Sequence, residues 1–158
     1  YNIRKLNRKI TIYFKSKEEL FSEIFALTNN SKDIKELRML EHLPLSARKK
    51  ILKLSKSIMT KLTQDEVYAA KVALNAQMMF EKEDFDSAET TYQSELYQIT
   101  EKVIIQGQKE GSVVDGIPMK LVDYYWGVVY LYALKSLFTI KYELISEKDL
   151  ARILLKDE

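Results

Sequence analysis

Apolar positions recur along this chain at helical spacing. Leu20, Phe21, Ile24, Phe25 and Leu27 form the first such stripe. Ser16 and Glu19 precede it as a capping box, in which the serine hydroxyl accepts from the Glu19 N–H. Ser31 is placed to cap a continuation through Ile34, Leu37 and Leu40. Pro44 suits the first turn of a further helix, whose stripe is Leu45, Ile51, Leu52, Leu54, Ile58 and Leu62. Its outer face reads as basic: Arg48, Lys49, Lys50, Lys53 and Lys56. Thr63 and Glu66 form a second capping box, opening a helix through about Glu81. On it Val67, Ala70, Leu74 and Met78 line one face, and Tyr68, Val72, Asn75 and Met79 a neighbouring one. Ser87 caps the next predicted helix, 87–111, with Ala88, Tyr92, Leu96, Ile99, Val103 and Ile104 on one side. A loop, Asp115-Gly116-Ile117-Pro118, leads to a helix over about Met119–Tyr142 that is apolar nearly all round. Ser146 caps a short last helix through Leu155. The expected class is all-α.

Composition narrows this picture. Only four glycines and two prolines occur, so the turn chemistry of a strand-rich fold is missing. With 46% hydrophobic and 30% charged residues over 158 positions, the chain can bury a core. The longest uncharged, strongly apolar run, Tyr124 to Leu134, is too short to span a bilayer, so no membrane partner is expected. Cysteine is absent, which removes disulfides and thiolate metal sites and suits the cytoplasm. The single histidine, His42, stands beside Leu43 and Pro44 as a loop or capping residue. Zinc chemistry and histidine-assisted nucleophilic catalysis are therefore poorly served, and neither an enzyme nor a cofactor is expected. The acidic stretch 81–89 lacks the Glu-x-x-His pairs of di-iron bundles.

Net charge is only +2, but Arg4, Lys5, Arg8, Lys9, Lys15 and Lys17 crowd the start of the chain. A basic head on a near-neutral body is either a nucleic-acid footprint or a solvated helix face.

The segment Tyr13-Phe14-Lys15-Ser16-Lys17-Glu18-Glu19-Leu20-Phe21 resembles the junction between recognition helix and first body helix in TetR-family transcription regulators. Ile105 to Gly111 resembles the helix end that precedes that family's long glycine-containing helix, with Gly127 here as the glycine. The resemblance implies the remnant of a helix-turn-helix head in residues 1–20 and an antiparallel helical ligand-binding and dimerisation body in 21–158. Asn2 to Leu6 resembles the start of the head's second helix, and Asn7 to Phe14 the recognition helix. A complete head needs about 40 residues before Ser16. Here 15 precede it, so the head is either truncated or interrupted between Leu6 and Asn7, the second reading being favoured. By this resemblance Asn7, Arg8 and Lys9 reach base edges, and Tyr13 and Lys17 position phosphates. Thr11 stands where the family usually has tyrosine.

The resemblance also implies an effector pocket in the body and a homodimer through helices 87–111 and 118–142. The pocket candidates are Met59, Tyr68, Asn75, Met78, Met79, Tyr92, Trp126 and Tyr130: large, adaptable or polar residues on otherwise apolar faces. The expected function is a bacterial, cytoplasmic, ligand-responsive regulator, a repressor, that binds a palindromic DNA operator as a dimer. Its effector would be small and lipophilic or aromatic. The competing expectation is a helical sensor or dimerisation module without a working DNA-binding head.

Overall fold

A computed structural model describes Ser16, Glu19 and residues 32–81, 94–139 and 141–157, with only the backbone described over 75–81. The chain divides into two units, Tyr1–Ser31 and Lys32–Glu158. In the first, the Glu19 N–H donates to Ser16 Oγ at 3.1 Å, the bond expected of a capping serine.

The second unit is all-helical. Its described residues form six helices: α1 Lys32–His42, α2 Ala47–Gln64, α3 Glu66–Glu81, α4 Glu95–Lys109, α5 Pro118–Phe138 and α6 Glu147–Arg152. No strand occurs among them, only an isolated antiparallel bridge between Val113 and Leu155. No helix among them is long and apolar enough to cross a membrane.

The helix α2 is the hub, packing against α1, α3, α4, α5 and α6, while α5 also packs against α3 and α4. Its buried positions explain this. Ala47, Lys50, Ile51, Ser55, Ile58, Met59 and Leu62 cover an arc wider than a single stripe, so several neighbours are needed to cover it.

Helix ends depart from expectation in instructive ways. Pro44 lies in the loop before α2, not in its first turn. Ser46 is the N-cap, and its side chain accepts from Lys49 N. Thr63 does not cap α3, because it still lies within α2, where its hydroxyl donates back to the Met59 carbonyl at 2.7 Å. Asp65 does so instead, its carboxylate accepting from Tyr68 N at 3.0 Å. Ser87, expected to cap the next helix, lies outside the described residues, and the described helix there runs from Glu95 with extended backbone at Ser94. The long apolar helix stops at Phe138, four residues short of the expected end. Ser146 does cap the last helix, in a complete capping box with Asp149.

The end of α4 is a Schellman turn. Gly111, at φ +76°, lets Ser112 N donate to Gly107 O at 2.9 Å and Gly111 N to Gln108 O at 3.1 Å. The turn delivers residues 112–114 to the C-terminal segment. There Val114 N bonds Leu154 O at 2.8 Å and Lys156 N bonds Ser112 O at 3.0 Å. Arg48 then ties α2 to this segment through Lys156 O at 2.7 Å.

The basic face expected on α2 is only partly outward. Lys50 is 5% exposed. Its ammonium donates to the Glu41 carbonyl at 2.6 Å and to Gln106 Oε1 at 3.0 Å. Gln106 Nε2 donates in turn to Leu45 O and to Glu110 Oε1. The other Glu110 oxygen accepts from Ala47 N, the first amide of α2, at 2.8 Å. A carboxylate at a helix N-terminus is favoured by the exposed amides and the helix dipole. Side chains of α4 thus satisfy the loop and helix ends of the α1–α2 connection.

Candidate ligand-binding cleft

Between α1 and α2 lies a cleft of about 560 Å3, inside the range of about 300–1,000 Å3 common for small-molecule sites. The helix α1 supplies Leu37, Met39 and Leu40 to one wall, and Leu43 follows from the loop. The facing wall is α2, with Lys53, Leu54, Lys56, Ser57, Ile58 and Thr60. Tyr68 of α3, Leu96 of α4 and Trp126 of α5 close the floor. Both wall helices carry apolar side chains outside the closed core. Leu54 is only half-buried, and Met39 and Leu43 are exposed.

One end of the cleft is an ion cluster. Lys61 Nζ reaches Asp33 Oδ1 and Glu36 Oε2, each at 2.6 Å, and lies 5.5 Å from the centre of the Tyr68 ring. Burial pushes the Lys61 pKa down. The hydrogen bonds and charges of Asp33 and Glu36 outweigh it, so the ammonium titrates above its usual range. A bidentate pair between Arg38 and Glu95 clasps α1 to α4, its second bond 2.6 Å long.

The floor is aromatic and largely self-satisfied. Trp126 is 3% exposed, and its indole N–H donates to Thr100 Oγ1 at 3.1 Å. Thr100 donates onward to the Leu96 carbonyl. Behind it, Tyr125 meets Trp126 edge-on at 5.6 Å and shares a 2.9 Å hydrogen bond with the fully buried Ser55. Tyr68 differs. It is nine-tenths buried, and its hydroxyl makes no hydrogen bond among the described residues. Burial, with the charge of Asp33 next in weight, holds that phenol well above the ordinary tyrosine range. A buried polar group without a partner calls for an explanation, and a ligand in the cleft is one.

Of the pocket candidates read from sequence, Tyr68 and Trp126 line this cleft. Met59 is core, 6% exposed and away from the cleft. Tyr130 packs on Trp126 at 6.3 Å and hydrogen-bonds Tyr97, one layer behind the floor. Asn75, Met78 and Met79 lie on α3 with their side chains outside the described residues, as is Tyr92 altogether. The proposed DNA contacts Asn7, Arg8, Lys9, Thr11, Tyr13 and Lys17 also lie outside them. The sequence reading passed over Leu37, Leu40, Leu54, Ile58 and Leu96 as ordinary core. Their periodicity carries no sign that the two helices part. Lys53 and Lys56 were visible as part of a basic face, but not as the rim of a cleft.

A second surface stands apart. On α5 the exposed apolar residues Tyr124, Leu131, Leu134 and Phe138 follow Ile117 at spacings of seven, seven, three and four, with Gly127 open between them. The exposed positions of α4, by contrast, are polar, Gln98, Lys102 and Lys109, as is Glu110 just past its end. Compared with known protein families, curated proteins and solved structures, the chain matches none.

Proposed function

We propose that the chain is the effector-binding and dimer-forming body of a TetR-like transcription regulator, with part of the DNA-reading head at its start. The observation that carries this reading is the α1–α2 cleft, with its aromatic floor and a Tyr68 hydroxyl that has no hydrogen-bond partner among the described residues. Supporting it are the capped Ser16–Glu19 turn inside the Tyr13–Phe21 pattern and the exposed apolar stripe of α5. The effector occupies the cleft. Two copies pair through α5, in antiparallel helical bodies, and the paired heads read a palindromic operator in the bacterial cytoplasm. Regulation then requires only that the effector bind one head spacing better than the other. Repression relieved by effector is the direction proposed.

Trp126, the only tryptophan, reports on the cleft floor. Small lipophilic compounds are screened by saturable quenching of its fluorescence. The chain is separately used to select duplexes from a random DNA pool. Compounds that quench Trp126 are expected to weaken binding to the selected palindrome severalfold. Lys17→Ala is expected to weaken binding across all sequences and flatten its salt dependence. Quenching without any effect on DNA binding, or failure to enrich any DNA at low salt, leaves the sensor or dimerisation module as the function.

A further inference from the structure

The effector reading leaves the chemistry of the ligand open, and the charges around the cleft narrow it. At one end Lys61 is paired with two carboxylates at 2.6 Å, one of which, Glu36, also lies 3.9 Å from Lys32. Along the same wall of α2, eight and five residues earlier, Lys53 and Lys56 are exposed, and neither makes an ion pair or hydrogen bond in the described structure. Ser57, half-buried and lining the cleft beside Lys56, has no hydrogen-bond partner for its hydroxyl among the described residues. Between these two ends the wall and floor are apolar: Leu37, Leu40, Leu54, Ile58, Leu96 and the Trp126 ring. At a rise of about 1.5 Å per residue, Lys53 and Lys61 are separated by roughly 12 Å along α2.

We infer, resting on the effector reading, that the cleft takes a single-chain amphiphile with one anionic headgroup. The carboxylate lies against Lys53 and Lys56 and accepts from the Ser57 hydroxyl. The apolar chain runs along Leu54 and Ile58 towards Trp126. A cationic amphiphile has no comparable place. Both carboxylates of the cleft are already in ion pairs, Asp33 with Lys61 and Glu36 with Lys61 and with Lys32 at 3.9 Å, whereas Lys53 and Lys56 have no counter-charge among the described residues.

The test uses the full chain, Trp126 fluorescence, and three probes of equal chain length below their micelle concentrations: dodecanoate, dodecyltrimethylammonium and dodecanol. Dodecanoate is expected to bind one per chain and more tightly than the cation. Its affinity should tighten roughly threefold per added methylene as apolar surface is buried and loosen with salt. Lys53→Gln with Lys56→Gln, on an exposed face where folding is little affected, should weaken dodecanoate about fivefold and leave dodecanol unchanged. If dodecyltrimethylammonium binds as tightly as dodecanoate, or the double variant binds dodecanoate normally, the headgroup assignment is overturned while the cleft stands. If none of the three probes quenches saturably, the cleft itself is not a ligand site, and the effector reading falls with it.

Discussion

A Cβ built on Gly107 runs into Val113 Cγ2 and meets Ala47 Cβ at 3.0 Å, so glycine is required where α4 crosses the start of α2 and the 112–114 segment. Val113 has no room to retreat, being fully buried and bridged to Leu155. Gly107→Ala is expected to cost about 2 kcal/mol of stability by overpacking, read from the urea midpoint. Adding Val113→Ala should change that cost, since the two sites share one contact. Strict additivity of the two single changes would show that the clash is relieved elsewhere. Lys50 is the other position where a single side chain decides much. Its ammonium satisfies the Glu41 carbonyl and Gln106 inside the structure. Lys50→Ala removes the donor from two part-buried acceptors and empties a buried position, for an expected loss of about 2 kcal/mol. A loss within a few tenths, as at an ordinary surface lysine, would refute this role. From sequence, Lys50 looked like one more cation on a basic face. Only the approach of α4, bearing Gln106, gives its charge a reason to turn inward.

The six helices behave as their patterns suggest in type, and less so at their ends. The apolar periodicity of α2, α4 and α5 is long and regular, so their existence was legible from residues 45–62, 96–104 and 121–138. Their limits were decided by where the backbone leaves the helix and which side chain stands there. Asp65, not Thr63, caps the start of α3, because Thr63 is still inside α2, where its hydroxyl points back to Met59 O, and Asp65 is the first residue with non-helical backbone. The helix α5 carries the element-scale prediction. One of its sides fills the core through Leu121, Val122, Tyr125, Trp126, Val129 and Ala133, and the other exposes Tyr124, Leu131, Leu134 and Phe138. If that stripe pairs two copies, Leu131→Glu with Leu134→Glu should weaken the dimer by at least about thirtyfold, as measured by sedimentation equilibrium. The circular dichroism spectrum should stay unchanged, because both side chains already face outward in one copy. A double variant that self-associates like the parent would move the interface elsewhere.

At the scale of the whole molecule, the core holds tyrosines as neutral phenols. Burial, the leading cause in each, raises the pKa of Tyr68, Tyr97, Tyr125 and Tyr130. Tyr130 is pushed up to about 12, even though its hydrogen bond with Tyr97 favours the ionised form. An acid whose folded pKa lies above its unfolded value of about 10 stabilises the fold fully below that pH. The contribution is then lost as pH rises from about 10 to the folded pKa. Alkaline unfolding is therefore expected to begin above about pH 10, and tyrosinate absorbance should include a cooperative step of at least four residues coincident with loss of helical signal. Ionisation of all tyrosines near pH 10 while the helices persist would contradict their burial. The all-helical class and most of the core were written in the chain itself, because a 3.6-residue period of apolar side chains has few other ways to leave water. Trp126 and Tyr68 were legible as pocket candidates for the same reason: large amphipathic rings on apolar faces. What tertiary structure alone decided was how the faces meet. It turned Lys50 inward and placed Met59 in the core, and it paired Lys61 with Asp33 and Glu36 across the cleft while leaving Lys53 and Lys56 without partners among the described residues at its mouth. Periodicity fixes which side of a helix is apolar. The distance between two such sides, and so whether they close or leave a cleft, depends on residues far apart in the chain that no local pattern relates.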